Sequence, residues 1–181
     1  MPTRKAYVHI SSWKCVLAVA ASVIATGVAC ADAPGDPAVA SSDNGKYLDK
    51  DGSPTYKISQ DGMVDWYTFS GFRRYHSDCH VCHGPNGEGS SYAPALANSL
   101  KTLSYSDFTN VVTNGRKNVD AANDKVMPSF ATNVNVMCYL DDIYVYLRAR
   151  ANGAIPGGRP PTHEDKPEAA KQAEASCTGI K

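Results

Sequence analysis

The chain has 181 residues, 43% of them hydrophobic, which is enough for one domain, or one small domain with extensions, around a single core. Lys and Arg number 18 and so do Asp and Glu; with Arg4, Lys5 and Lys14 set apart at the N-terminus, the remainder is mildly acidic. Phosphate binding needs clustered positive charge, and no basic stripe appears, so nucleic acid is excluded as an expected partner.

Arg4 and Lys5 lead into the apolar run Cys15-Val16-Leu17-Ala18-Val19-Ala20-Ala21, which continues to Ala29 and closes on Ala29-Cys30-Ala31 and Ala31-Asp32-Ala33. A charged start, about fifteen apolar residues and a small-x-small site form an export signal. Residues 1–33 are therefore read as a signal peptide cleaved after Ala31 or Ala33, and the protein is expected in the periplasm. A retained anchor fits less well. Spanning takes roughly 20 apolar residues, and Ser22, Thr26 and Gly27 dilute this run. Lipid modification at Cys30 fits less well again, because Gly27 stands where a large apolar residue is wanted.

Residues 34–64 form an N-terminal extension. From Pro34 to Gln60 it is Gly, Pro, Asp, Ser and Lys with few large apolar residues, so it has no core of its own and packs on something else or stays loose. Asp49-Lys50-Asp51-Gly52 invites a calcium-loop reading, but Tyr47 occupies the first ligand position and no Glu follows at the right distance; a turn is expected.

Asp65 to Asp78 reads as a helix, with Trp66, Phe69 and Arg73 on one face and Gly71 and Tyr75 near one another on a second. Glycine inside a helix costs about 1 kcal/mol relative to alanine. It is best tolerated where another element must come close, and the last helix is the expected partner.

Next comes Cys79-His80-Val81-Cys82-His83. Two thiols three positions apart with a histidine directly after the second can hold one haem by two thioether bonds and one iron ligand. A structural zinc half-site would want a second Cys/His pair at similar spacing, and none exists. A redox pair would want a strand before and a helix after, whereas a helix runs in and Gly84-Pro85-Asn86-Gly87 follows. Haem c, one per chain, is the expected cofactor, with Cys79 and Cys82 as attachment points and His83 on the iron. The carbonyl of Pro94, in Tyr92-Ala93-Pro94-Ala95-Leu96, is expected to accept the other ring proton of His83 and set its tautomer.

Ser104-Tyr105-Ser106-Asp107 resembles a helix N-cap with an acidic first turn, and Phe108, Val111 and Val112 continue to a stop at Gly115. Met127, in Val126-Met127-Pro128-Ser129-Phe130, is the expected second axial ligand, because the proline holds a non-helical loop that can cross the haem face. A plain core methionine is the bland alternative. Met137 sits beside Cys138 near a helix start, and Met63 precedes the first helix. A second histidine ligand would give a lower potential, but His76 and His80 are too near His83 in the chain to reach the opposite face, and His163 lies in the tail; all three are expected at the surface.

The last helix is expected from about Asn135 to Arg150, with Val136, Leu140, Ile143, Tyr144 and Leu147 on the apolar stripe and Asp141, Asp142 and Arg148 off it. Gly153 and Pro156 end it. Residues 152–181, rich in Pro, Gly and charge, form a C-terminal extension. Of six cysteines, two fall in the signal and two bind haem, which leaves Cys138 and Cys177 to pair in an oxidising compartment or to stay as buried thiols; the disulfide is expected.

With these residues placed, the chain resembles class I cytochrome c over residues 65–151. Gly71, Tyr75, Cys79, Cys82 and His83 match the first-helix motif, Pro94 the loop, Met127 the distal ligand, and Ile143, Tyr146 and Leu147 the last helix. The resemblance implies an all-α core of three or more helices around one covalently bound haem, with irregular N- and C-terminal extensions. It also implies a helix crossing at which Gly71 meets Tyr146, a residue the helical stripe alone does not select.

A closer resemblance covers most of the chain beyond the signal. Asp51-Gly52-Ser53-Pro54-Thr55-Tyr56-Lys57-Ile58, Val64-Asp65-Trp66-Tyr67, Arg73-Arg74-Tyr75-His76, Val126-Met127-Pro128 and Asn135-Val136-Met137-Cys138-Tyr139 are similar to four-cysteine c-type cytochromes associated with methanol metabolism. This implies a quinoprotein alcohol dehydrogenase carrying pyrroloquinoline quinone as electron donor and a downstream cytochrome or terminal oxidase as acceptor. An electron carrier needs no catalytic acid or base, so no catalytic residue is expected. A peroxidase-like enzyme would need an open iron position and a distal His or Arg; a ligand-sensing subunit would bind carbon monoxide rapidly when reduced.

Overall fold

The computed structural model describes residues 36–119 and 124–179. The segment expected to be an export signal, with Cys15 and Cys30, lies outside them. In chain order the elements are β1 (Ser41–Asp43), β2 (Lys46–Leu48), β3 (Pro54–Thr55), α1 (Trp66–Asp78), α2 (His80–His83), α3 (Leu96–Ser99), α4 (Tyr105–Asn114), β4 (Arg116–Val119), β5 (Asp124–Met127), α5 (Val134–Met137), α6 (Leu140–Ala151) and α7 (Glu168–Thr178). Among the described residues no helix is long and apolar enough to cross a membrane.

The helices carry the core. Helix α1 begins where Asp65 Oδ1 accepts a bond from the Thr68 N–H at 2.9 Å and Oδ2 accepts from the Thr68 hydroxyl at 2.6 Å, occupying donors that a helix start leaves open. It crosses α6 at Gly71. A Cβ built on that glycine would lie 1.8 Å from the Asp142 carbonyl oxygen and 2.8 Å from Tyr146 Cβ, so backbone meets backbone and only hydrogen fits. Around the crossing Phe69, Phe72 and Tyr75 of α1 pack with Ile143, Tyr146 and Leu147 of α6, and Phe108 and Val112 of α4 close the cluster.

Several sequence expectations are corrected. The last helix is broken: α5 is capped by Asn133 and ends at Cys138, Tyr139 leaves the helical range, and α6 starts at Leu140. Asp142 and Arg148, expected off the apolar stripe, are 5% and 1% exposed. A single stripe fails for α6 because it is enclosed by α1, α3 and the N-terminal strands. Arg148 Nη1 is 2.8 Å from Asp49 Oδ2 and 3.0 Å from the Pro54 carbonyl.

The third correction concerns the extensions, which are ordered rather than irregular. At the N-terminus β1, β2 and β3 form an antiparallel sheet. Asp49 makes the expected turn, its Oδ1 accepting from the N–H groups of Asp51 and Ser53 at 2.9 Å, while its other oxygen holds Arg148. With few apolar residues of its own, the sheet is fixed by long-range polar contacts, including Lys46 to Asp141 at 2.7 Å and Tyr67 OH to the Asn44 carbonyl at 3.0 Å.

At the C-terminus the alanine-rich segment Glu168–Thr178 is helical, in keeping with alanine's intrinsic preference; averaging the tail as Pro, Gly and charge hid it. Cys177 of this helix is joined to Cys138, Cα to Cα 5.7 Å. His163 is half-buried rather than at the surface, stacked on Phe69 with ring centroids 3.7 Å apart.

Candidate haem site

The attachment segment is a continuation of α1. Cys79 caps that helix, its N–H bonded to the Tyr75 carbonyl at 2.9 Å, and the His83 N–H reaches the Cys79 carbonyl at 3.1 Å. One helical turn therefore presents Cys79, Cys82 and His83 together. Gly84, at φ 79°, ends it, and the Tyr75 hydroxyl donates to the Gly84 carbonyl. Cys79 is half-buried and Cys82 exposed, and neither is in a disulfide. Burial, with Asp78 and Cys82 adding to it, pushes the Cys79 thiol up to about 12.

His83 is buried, with Nδ1 3.0 Å from the Pro94 carbonyl oxygen. A carbonyl only accepts, so Nδ1 carries the proton and Nε2 keeps its lone pair for a metal. The loop that delivers this carbonyl folds over Gly89: at φ 85°, with a built Cβ 2.6 Å from Ala95 N and 2.9 Å from Pro94 C, this position admits only glycine. Nothing in the sequence pattern marks Gly89 for that task.

Met127 ends β5, paired with Arg116 of β4 in an antiparallel hairpin. Gly115, read from sequence only as a helix stop, has a second role. A Cβ there would lie 2.6 Å from the Met127 carbonyl oxygen and 2.8 Å from Ser129 N. The chain after Met127 is stapled to the end of α4 by the Ser129 hydroxyl on the Thr113 carbonyl at 2.5 Å and by the Phe130 N–H on the Val112 carbonyl at 3.0 Å.

These elements enclose a cavity of about 480 Å³, counting its open side, lined by Cys79, His83, Leu96, Leu103, Phe108, Val111, Val112, Met127, Phe130, Val136, Ile143 and Leu147. No residue on this wall carries a fixed charge. Met63 and Met137 lie outside the lining, as do His76, His80 and His163. His76 is half-buried, with Nδ1 bonded to the Phe72 carbonyl at 2.8 Å. The donor set fits haem c: an apolar slot for the macrocycle, two free thiols one turn apart, an imidazole with Nε2 free, and a thioether on the same cavity.

Comparison with known proteins agrees with this architecture. A profile described as cytochrome C oxidase, cbb3-type, subunit III matches residues 69–147. Cytochrome c-553I of Paracoccus denitrificans is 53% identical over 135 residues, which is 75% of this chain and 60% of that protein. The chain thus spans 60% of the length of that relative. Cytochrome c-555 of Methylococcus capsulatus is 42% identical over 96 residues, 52% of this chain and 72% of the relative. The crystal structure of the c-type cytochrome XoxG from Methylobacterium extorquens AM1 superposes with a TM-score of 0.71 at 56% identity, covering 77% of this chain and 85% of that one. Identity this high, over most of two of these relatives and on the same helical frame, leaves one family: the chain belongs to the c-type cytochromes, electron-transfer proteins of haem c, with the class I fold.

Proposed function

We propose that the protein is a periplasmic one-electron carrier holding one haem c, attached through Cys79 and Cys82 and ligated by His83 and Met127. The observation that carries the reading is that His83, with its tautomer set by Pro94, and Met127 line the same apolar cavity as Cys79. When bound, haem supplies the Fe(III)/Fe(II) couple. The chain's part would be to hold the imidazole in one orientation, to keep water from the macrocycle with Leu96, Phe108, Ile143 and Leu147, and to offer the Met127 thioether as the second iron ligand. With the Met127 thioether bound, the iron would have no open place for peroxide or a gas at rest. Residues 1–33 are the export signal, the described parts of the extensions 34–64 and 152–181 brace the cytochrome domain at 65–151, and the Cys138–Cys177 bond holds the second brace.

The electron donor in this reading is a quinoprotein alcohol dehydrogenase with pyrroloquinoline quinone, acting on methanol, and the acceptor is a downstream cytochrome or terminal oxidase. Support comes from the long motif matches with cytochromes of methanol metabolism and from the likeness to XoxG. Oxidation of an alcohol yields two electrons, so two visits by a one-electron carrier are needed, and such encounters usually bury less than about 1,200 Å². The test is reduction of the oxidised protein by a purified dehydrogenase with methanol, followed at several ionic strengths. Reduction that depends on substrate, with a rate that varies with salt, is expected. No reduction above the substrate-free control, with any alcohol, would defeat the choice of donor.

A further inference from the structure

We infer that the hairpin β4–β5 supplies the cations that neutralise the haem propionates, through Arg116 and Lys125. The inference rests on the reading that haem occupies the cavity beside Met127. In an antiparallel pair, residues directly opposite share a face and neighbours along a strand alternate. The register Arg116↔Met127, Lys117↔Val126, Asn118↔Lys125 and Val119↔Asp124 therefore sorts the hairpin into two unlike faces. One carries Arg116, Asn118, Lys125 and Met127; the other carries Lys117, Val119, Asp124 and Val126.

Met127 lines the cavity, so the first face is the one turned toward the cavity at that end. It bears two cations and no acid, while the acid at position 124 is on the opposite face. Arg116 and Lys125 are exposed and make no ion pair among the described residues. The cavity wall offers two haem carboxylates nothing but apolar surface, and burying a carboxylate against such a surface is costly. Propionates kept off that wall would lie on its open side, and the hairpin face that ends in Met127 carries two cations for them: a planar guanidinium directly opposite Met127 and an ammonium two pairs along. The hairpin thus delivers the distal ligand and the counter-charge on one face.

The test measures the midpoint potential of the purified holoprotein by optical titration against a one-electron mediator, in wild type, Arg116→Gln, Lys125→Gln, the double variant and Lys117→Gln. Loss of a cation beside the haem favours Fe(III). The double variant should shift the exchange equilibrium toward the oxidised form at least threefold, about 28 mV at 59 mV per tenfold for one electron. Each single variant should give part of that, Arg116→Lys should recover the wild-type value, and Lys117→Gln, of equal charge change on the other face, should move it far less. The methionine charge-transfer band, recorded on each sample, selects variants in which Met127 still binds. An unchanged potential in the double variant with that band intact, or an equal shift in Lys117→Gln, overturns the inference. A purified wild type without covalent haem, seen by mass before any titration, would overturn the haem site itself.

Discussion

Replacing Gly71 by alanine tests the helix crossing on which the haem cavity is built. The added Cβ would stand 1.8 Å from the Asp142 carbonyl oxygen and 2.5 Å from its carbon. Reaching an ordinary contact of about 3.4 Å requires the helices to part by roughly 1.6 Å, since backbone cannot rotate away as a side chain can. Alanine regains about 1 kcal/mol of helix propensity, but overpacking typically costs 1–3 kcal/mol and more where the opposing atom cannot yield. Parting the helices also loosens Phe72 and Tyr75 against Tyr146, each of these three less than 10% exposed. The net expectation is a loss of at least about 2 kcal/mol. Urea unfolding of the holoprotein, followed by far-ultraviolet circular dichroism, reads it as a lower midpoint at unchanged slope. A loss below about 0.5 kcal/mol, the range of neutral surface changes, would refute the claim that the crossing tolerates only hydrogen.

Arg148→Ala should cost about 3–5 kcal/mol in the same assay, because it strands the Asp49 carboxylate, whose side chain is 0% exposed and 2.8 Å from the guanidinium; Arg148→Met with Asp49→Asn should recover part of this. Asp142 is buried at the crossing, and that burial raises its carboxyl to about 7 despite a bond from Ser70 and the nearby Lys46, with Asp141 and Asp65 adding to the rise. The folded state therefore holds a proton that the unfolded state has already released. Stability falls as pH rises from the unfolded carboxylate range toward 7, and Asp142→Asn should flatten the urea midpoint between about pH 4 and 7. Met127→Ala should abolish the methionine charge-transfer band of the oxidised protein and open the iron to carbon monoxide when reduced; an unchanged spectrum would show that another group is the ligand.

What could be read from the sequence alone was what neighbours in the chain decide. Cys79, Cys82 and His83 fall within one helical turn, Ser104 and Gly115 bracket α4 by local backbone chemistry, and Pro128 keeps the chain at Met127 non-helical. Spacing, capping and backbone preference act over a few residues, so these survive any tertiary arrangement. The rest depended on which distant segments share a boundary. Arg148 and Asp49, 99 residues apart, are both buried because α6 is covered on several sides, a fact no single stripe can encode. The tail's helix and the N-terminal sheet, neither of which brings much apolar surface, are held by a disulfide and by polar contacts reached only once α1 and α6 have crossed. Gly89 and Gly115 gained their meaning from the backbone that lies against them. Met127 was legible as a ligand candidate. Its company on the hairpin face was not, because strand register is fixed only where two segments meet in space.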